Sequence, residues 1–472
     1  MFGFMGDKSV RKRVLYDYTT LRKDVKAKLN GIARKLLKNT RLEFLVRDNE
    51  LRAYREIWQA GEGLLFLYLA DIKLRGGGKL CFVLPRSLLS GVSWFLARAL
   101  LAYNYYIEDV IVSYEPNHYN FSESTSLSEC MVIARKTVEQ SGDDETRFVV
   151  LLKKPRTSME AIALANSIHN RDGEYVEAGQ AKAFIIVVKR EELVENIDNW
   201  GRFVFLPNTK LLKEIESVLK GTLQFGGQKS TVPLIKLNEI MSSIGVDRHR
   251  FTDTFRMMEE SLDTPQRVPG SVKMLKGGAE AQRRIMRAQP NAYALPLIDR
   301  GTEIFENIGG TLLVPNRIRV NTAHVTSMVC DEKVISNIFY VVRLKDERQD
   351  WLKAICVWLN TTWGILTILA SREETHGAFI SLNMSHWRLL PVLNVNALDQ
   401  SIIEGLAGIF DKLKDVRLSR IPEQYGSRGR IDKGRVELDK SFLNIMGIQV
   451  QENDLLAIYG EIAQSLVQWI GD

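Results

Sequence analysis

This sequence is poor in the residues that build metal centres and disulfide frameworks. Its 472 residues include 4 cysteines and 6 histidines, and neither type occurs at the short, regular spacings of zinc sites. We therefore predict no metal site and no disulfide framework of the kind found in small secreted proteins. Three of the four cysteines lie inside apolar runs, so we expect buried free thiols in a reducing compartment.

Long apolar runs are also missing. No segment approaches the roughly 18 consecutive apolar residues of a membrane-spanning helix. The N-terminal stretch MFGFMGDKSVRKRV (1–14) lacks the apolar core of a signal peptide. These two absences predict a cytoplasmic protein with no membrane partner.

Two further shortages limit the functions that the chain can have. The 12 prolines include no adjacent pair, which excludes any motif built on Pro-Pro. The net charge is only +7, from 64 Lys and Arg against 57 Asp and Glu. An excess this small is compatible with a polyanionic partner but does not require one.

Shifts in composition divide the sequence into five segments. The first is basic and helical in pattern, and its cationic face either contacts phosphates or is simply solvated. A Pro/Gly-rich stretch within the third segment indicates a linker. The segments are a basic helical segment (1–60), an α/β block (61–155), a mixed α/β insertion with the linker (156–303), a second mixed block (304–398) and a helical tail (399–472).

The α/β block is the most informative part of the sequence. KLCFVLP (79–85), YYIEDVIVSY (105–114) and ECMVIARK (129–136) are typical of β-strands. A helical run, SLLSGVSWFLARALLAY (87–103), and a polar loop containing NFSESTS (120–126) separate them. Strands that alternate with helices predict βαβ units and a parallel sheet.

Together these runs resemble the C-terminal half of the methyltransferase domain of DNA N6-adenine methyltransferases from restriction–modification systems. WLNTTWG (358–364), ETHG (374–377) and LPV (390–392) are similar to the target-recognition region of the same enzymes, and residues 435–443 to their C-terminal helices. The resemblance implies an α/β fold. The C-terminal part of a Rossmann-like methyltransferase sheet would be followed by a mixed α/β target-recognition domain and C-terminal helices.

The resemblance also assigns positions in the sheet. Residues 79–84, 106–114 and 129–135 would be the fifth to seventh of seven strands, and the last two would form an antiparallel hairpin. The first of them is apolar on both faces, as central strands are, and no fourth strand precedes it in the sequence. Because an unpaired apolar strand promotes aggregation, we expect a partner polypeptide that carries the N-terminal methyltransferase half. A truncated gene product is the alternative.

S-adenosylmethionine and double-stranded DNA are the cofactor and the substrate that the resemblance implies. In the family, an Asn/Asp/Ser-Pro-Pro-Tyr/Phe motif holds the amine of the flipped adenine. That motif is absent here because no two prolines are adjacent. We identify no catalytic residue, and we expect the partner half to bind most of the cofactor and this chain alone to be inactive.

The loop with NFSESTS occupies the place from which the family contacts the flipped base. A flipped base needs an aromatic platform, so Phe121 is the main candidate for the base pocket, with Tyr119 and Ser122 beside it. The alternative is that Phe121 closes the hairpin onto the core.

Basic residues in two regions are candidates for contacts with DNA. Arginine reads guanine edges and binds phosphate. Asn360, Thr361, Thr362 and Gly364 lie in an apolar run, 350–371, that predicts one helix, and we interpret them as packing residues. The DNA-binding candidates are Arg317, Arg319, Arg372 and His376 in the second mixed block, and Arg428, Arg430 and Lys433 in the tail.

The sequence thus predicts part of a site-specific DNA adenine-N6 methyltransferase that contributes the last sheet strands and DNA target recognition. Three alternatives stay open. In these alternatives the chain is a non-catalytic DNA-recognition subunit, an inactive remnant of a restriction–modification system, or an unrelated two-domain α/β binding protein.

Overall fold

A computed structural model shows the chain as two compact units, each of which is described by itself. They are Met1–Pro207 with Glu373–Gly377, and Asn208–Arg372 with Ala378–Asp472. The basic segment 1–60, with its predicted phosphate-binding helix face, lies outside the described residues apart from Thr20 and Lys23. Otherwise the structure describes residues 62–122, 127–137, 141–170, 173–245, 248–258, 269–277, 285–376 and 379–470.

The first unit is built on a sheet of six strands. Short 3-10 turns at Arg86–Leu88 and Val92–Trp94 precede its second helix, so the predicted helix at 87–103 becomes regular only at Phe95. The elements are α1 (Glu62–Lys73), β1 (Lys79–Pro85), α2 (Phe95–Asn104), β2 (Tyr105–Ser113), β3 (Glu129–Lys136), β4 (Glu145–Lys153), α3 (Ser158–Asn170), β5 (Tyr175–Ala178), β6 (Ala181–Lys189) and α4 (Arg190–Glu195).

The strand order of this sheet is β1-β3-β2-β4-β6-β5. β3 pairs antiparallel with β2, which confirms the hairpin expected for the last two methyltransferase-like strands, and also with β1. β4 runs parallel to β2, with Val110 opposite Phe148, and β6 is antiparallel to both β4 and β5. The loops that follow β2 and β4 therefore leave the sheet at the same edge.

Among the described strands, β1 lies at one end of the sheet. Leu80 and Leu84 are only 5% and 4% exposed, whereas Val83 is 39% exposed and Cys81 is also exposed. Such alternation marks a strand with one covered face. Cys81 is therefore the exposed one of the four cysteines, because its side chain leaves the strand on the uncovered face.

The three other cysteines, Cys130, Cys330 and Cys356, are buried as predicted. Burial raises the pKa of the Cys130 and Cys356 thiols to about 12. Because the thiolate is the reactive form, an aromatic disulfide reagent should titrate one thiol rapidly in the native protein and the others only after unfolding. Cys81→Ser should abolish the rapid phase and Cys130→Ser should preserve it. A rapid phase that survives in Cys81→Ser would contradict this assignment.

The second unit is a larger α/β assembly with helices at its C-terminal end. Its first part contains α5 (Thr209–Leu219), β7 (Thr222–Phe225), β8 (Gln228–Thr231), β9 (Leu234–Lys236), α6 (Leu237–Ile240), β10 (Met241–Gly245), α7 (Arg248–Thr254), β11 (Phe255–Met257), β12 (Val272–Leu275), β13 (Arg287–Ala288), β14 (Ala292–Pro296), α8 (Gly301–Ile308), β15 (Gly310–Pro315), β16 (Arg317–Arg319), β17 (Met328–Ser336) and β18 (Phe339–Leu344). Its second part contains α9 (Gln349–Asn360), α10 (Thr362–Ser371), β20 (Phe379–Ser381), α11 (Met384–Leu389), β21 (Pro391–Leu393), α12 (Gln400–Leu413), α13 (Ile421–Gln424), α14 (Lys433–Ile445) and α15 (Glu452–Ile470). Between α10 and β20, the strand β19 (Glu373–His376) belongs to the first unit.

The main sheet of the second unit has eight strands, in the order β10-β18-β15-β17-β12-β14-β11, with β13 beside β17. The described part of the Pro/Gly-rich stretch contributes β12, β13 and β14 to this sheet. Three smaller antiparallel pairs, β7 with β8, β9 with β21 and β16 with β20, lie outside it. The α/β class with C-terminal helices that the sequence predicted is confirmed.

The apolar run 350–371 forms two helices and not the single helix that was predicted. α9 and α10 meet at an angle of 73°. The Thr361 hydroxyl accepts the Gly364 amide at 3.1 Å and so caps α10, while the Asn360 carboxamide accepts the Thr326 amide at 2.9 Å. The first bond satisfies one of the amides exposed at the start of α10, and the second holds Asn360 against the segment before β17. Both confirm the packing role of Asn360 and Thr361.

Helices α9 and α10 are also relevant to membrane insertion. Among the residues that the structure describes, no single helix is long and apolar enough to cross a membrane. This bent pair passes such a test jointly, by length and composition alone. Trp358 and Trp363, one from each helix, are completely buried in the unit.

An ion pair lies at the centre of the C-terminal helices. Arg435 and Asp439 on α14 are both 0% exposed, and their charged atoms are 3.3 Å apart. Gln424 on α13 accepts from the Arg435 Nε at 3.0 Å. Asp439 accepts the Thr362 amide at 2.9 Å and the Tyr459 hydroxyl at 2.7 Å. The pair thus connects α10, α13, α14 and α15.

Burial and charge act together on the groups around this pair. Burial raises the pKa of Tyr425 to about 12, and burial together with Asp439 raises that of Tyr459. Burial alone would lower the pKa of Arg435, but Tyr425 and Asp439 raise it nonetheless. Arg435 therefore stays charged and the tyrosines stay neutral. Although it belongs to the basic tail, Arg435 is a structural residue.

Removing one member of this pair should be strongly destabilising. Asp439→Asn leaves the buried charge of Arg435 uncompensated, which typically costs about 3–5 kcal/mol. Urea unfolding followed by tryptophan fluorescence measures the loss. The apolar double variant Arg435→Met/Asp439→Leu should lose less, because no charge is left buried.

The exposed pair Arg300–Glu303, with side chains 76% and 55% exposed, provides the control. Glu303→Gln should not measurably change stability, since water screens this pair. Equal effects of Asp439→Asn and Glu303→Gln would show that the buried pair has no special role.

Candidate functional site

Two loops of the first unit meet at one edge of its sheet. Residues 114–122 follow β2 and residues 154–157 follow β4. Because these two strands are parallel neighbours, both loops lie at the carboxyl ends of the strands. This edge is where open α/β sheets bind their ligands.

Salt bridges and hydrogen bonds hold the two loops together. Glu115, only 8% exposed, accepts the Lys154 amide at 2.9 Å and pairs with the Arg156 guanidinium. The Lys154 ammonium in turn donates to the Asn120 carbonyl at 2.7 Å. The loop after β4 thus fixes the loop that carries the base-pocket candidates.

Glu129, the first residue of β3, fixes the same loop from the other side. Its carboxylate accepts the amides of Phe121 and Ser122, both at 2.7 Å. Its own amide donates to the Tyr119 carbonyl at 3.2 Å. One residue therefore sets the backbone positions of all three candidates.

A groove of about 500 Å³ lies beside Phe121, between the sheet and α3. Phe121 is half-buried and packs against the core under α3, so the core-packing alternative applies to part of its ring while another part lines the groove. The floor of the groove is formed by Ile111, Met131 and Leu151. Its helical wall is formed by Ala161, Leu164, Ala165 and Ile168, and its mouth by Lys154, Pro155 and Arg156.

The mouth of this groove is positively charged. The Lys154 ammonium lies 5.9 Å from the centre of the Phe121 ring. Burial lowers the pKa of Lys154, while Glu115 raises it and Arg156 lowers it further. An apolar groove with two cations at its mouth is suited to a flat ring that carries a negative group.

A second candidate surface lies in the second unit. The Ile421 amide donates to the Ala323 carbonyl at 2.8 Å, and the Gln424 side chain donates to the His324 carbonyl at 2.7 Å. These bonds join the loop that follows β16 to the basic tail. The predicted DNA-binding residues on this surface are all exposed, and they are Arg317, Arg319, Arg428, Arg430 and Lys433.

Arg372 does not join this surface. Arg372 is 5% exposed, its guanidinium lies 4.2 Å from the centre of the Trp469 ring, and it donates to the Leu369 carbonyl at 2.9 Å. Its role is packing, and we do not retain it as a DNA contact. His376 lies on β19, in the first unit.

Sequence reasoning missed Glu115, Glu129, Lys154 and Arg156. Lys154 and Arg156 flank a proline directly after an apolar strand, which was the available signal. Their partner loop is about 35 residues earlier in the chain, and the parallel pairing that joins the loops is not visible in the sequence. Glu129 gave no signal beyond its place at the start of a strand.

The turn after β1 does not have the form of a nucleotide-cofactor site. A cofactor site of this type needs an open glycine-rich turn after a strand. The turn after β1 instead contains Arg86, which is buried with its guanidinium 4.3 Å from the centre of the Tyr114 ring. The described part of the chain also has no cluster of three or more His, Cys, Asp or Glu that could hold a metal.

No family model matches this sequence, and no curated protein matches it. Among solved structures, the type IIG restriction endonuclease BpuSI aligns with 94% of this chain and 52% of its own, with 13% identity and a TM-score of 0.35. The type IIL restriction–modification enzyme MmeI, solved in complex with DNA, aligns with 93% of this chain and 55% of its own, with 11% identity and a TM-score of 0.37. The chain therefore spans about half the length of each of these enzymes.

Removing the carboxylate of Glu129 should release the loop that it holds. In Glu129→Ala the amides of Phe121 and Ser122 lose a charged acceptor, which is typically worth about 1.5–3 kcal/mol. Their hydrogen-exchange protection should fall roughly 10- to 100-fold. Glu177→Ala, which removes an exposed carboxylate paired with Lys182, should leave both amides unchanged. Unchanged protection in Glu129→Ala would show that other contacts hold the loop.

Proposed function

We propose that this chain is part of a site-specific DNA adenine-N6 methyltransferase of a restriction–modification system. It contributes the last strands of the catalytic-domain sheet, a platform for the flipped base and the recognition of double-stranded DNA. The observation that carries the proposal is the groove beside Phe121, with Lys154 and Arg156 at its mouth.

A base that leaves the duplex needs a stacking partner, an enclosed apolar space and compensation for its backbone charge. Phe121 provides an aromatic surface in the loop after β2. The groove of about 500 Å³ is large enough for a nucleoside. Lys154 and Arg156 stand where the phosphates next to the base would lie, since phosphate contacts come mainly from lysine and arginine.

Methyl transfer also needs S-adenosylmethionine. We assign the cofactor and the motif that holds the adenine amine to a partner polypeptide with the N-terminal methyltransferase half. This chain would then bind and orient DNA but transfer no methyl group alone.

A non-catalytic DNA-recognition subunit is the second candidate function. The exposed basic residues of the second unit favour it, because lysine and arginine can contact DNA without a cofactor. An inactive remnant of a restriction–modification system would have the same structure. Only a methyl-transfer measurement separates these alternatives from the first proposal.

Base binding by Phe121 can be measured on the full chain. A single-stranded oligonucleotide with the fluorescent adenine analogue 2-aminopurine reports stacking directly. Phe121→Ala should weaken binding about 5- to 150-fold, since one base–aromatic stack contributes roughly 1–3 kcal/mol. Phe121→Trp should preserve binding.

Phe66→Ala is the matched control, because Phe66 on α1 is a 51% exposed phenylalanine of the same unit. It should bind like the wild type. If Phe121→Ala and Phe66→Ala bind equally well, Phe121 is a core residue and the base platform is wrong.

The enzymatic part of the proposal is tested by co-expressing the chain with the product of the neighbouring upstream gene. Transfer of labelled methyl groups to DNA should require both polypeptides, and Phe121→Ala should reduce it. DNA binding without methyl transfer in the pair would replace the proposal with the recognition subunit.

A further inference from the structure

The basic surface of the second unit contains a pocket of about 190 Å³. Its polar side is formed by Asn321 from the loop after β16 and by residues around α13, and apolar residues of α15 close the opposite side. The polar lining residues are Asn321, Arg420, Glu423, Ser427 and Arg428. Among them, only Arg428 was a predicted DNA-binding candidate.

The one carboxylate among these lining residues, that of Glu423, already has partners within the protein. Glu423 pairs with the Arg428 guanidinium at 3.1 Å, and its other oxygen accepts the Arg420 amide at 3.4 Å. Arg428 is therefore held at the pocket although its side chain is 74% exposed. The guanidinium of Arg420 has no ion-pair partner among the described residues.

A buried polar atom of Asn321 indicates that the pocket can bind a ligand. Its Oδ1 atom is buried at the pocket and accepts no hydrogen bond from any residue that the structure describes. Buried side-chain oxygens are normally paired. A half-turn of the carboxamide brings its NH₂ donors into the same position. The pocket then presents donors from Arg420, Arg428, Ser427 and Asn321.

We infer that this pocket binds a backbone phosphate of double-stranded DNA, an inference that rests on the proposed function. Arginine, serine and asparagine are typical phosphate contacts. The pocket is concave and small, and its donors come from several residues around it, which suits the oxygens of one phosphate group. Glu423 is a positioning residue, because it acts through Arg428.

The test is the salt dependence of DNA binding by the full chain, measured by fluorescence anisotropy with a labelled duplex. Each phosphate contact contributes about 0.9 to the slope of log affinity against log salt. Arg420→Ala and Arg428→Ala should each lower the slope by up to that amount, equivalent to roughly 3.5-fold between about 50 and 200 mM salt. The slope for the double variant Arg420→Ala/Arg428→Ala should be little lower than for either single variant, since both residues hold the same phosphate.

Two controls make the test specific. Glu423→Gln keeps an acceptor but removes the negative charge, so it should tighten binding at low salt. Arg300→Ala, at an exposed arginine of the same unit that pairs with Glu303, should leave the slope unchanged. Thermal unfolding of each variant shows that it is folded.

The outcomes separate this inference from the proposed function. Equal losses on unrelated duplexes support a phosphate contact. A loss confined to one DNA sequence overturns it in favour of base recognition. Unchanged slopes in both arginine variants, with base binding still dependent on Phe121, overturn the inference and leave the function standing. A wild-type chain that binds no duplex at any salt concentration overturns the function and the inference with it.

Discussion

The buried ion pair of Arg435 and Asp439 determines how the C-terminal helices are arranged. Two charges removed from water are stable only when every remaining polar atom finds a partner, and here the partners come from four helices. One of them, Gln424, accepts from Arg435 and donates to the carbonyl of His324. The pair therefore also positions the loop after β16 against the basic tail. The pocket that we assign to a phosphate is a product of this arrangement.

The first unit uses carboxylates in a comparable way, but at the edge of a sheet. Parallel pairing of β2 and β4 brings two loops together, and Glu115 and Glu129 then fix their backbones. Both acidic residues serve to place Phe121, Lys154 and the groove between them. Negative charge inside the protein thus organises a surface whose own charge is positive, as recognition of a polyanion requires.

The sequence predicted what depends on local pattern. The strands at 79–85 and 129–136 have the predicted bounds, because short apolar runs flanked by turn signals identify strands well. It did not predict the break at Thr361, because Asn360, Thr361 and Thr362 were interpreted as packing residues within one apolar helix and not as a helix cap. Nor did it separate Arg435 from the exposed arginines of the tail, because a buried partner on another helix leaves no trace in composition. The role of Lys154 depended on non-local strand pairing.

The bend between α9 and α10 has a consequence for how this region tolerates substitution. A Cβ atom at Gly364 would lie 2.0 Å from the carbonyl oxygen of Trp358, far inside contact distance. The bend between α9 and α10 therefore requires a residue without a side chain at position 364. Thr362, which donates hydrogen bonds to Asp439, lies two residues before that glycine. Even one methyl group at position 364 would therefore displace Thr362 from Asp439. The geometry of the Arg435–Asp439 pair thus depends on glycine at position 364 as well as on the two charges.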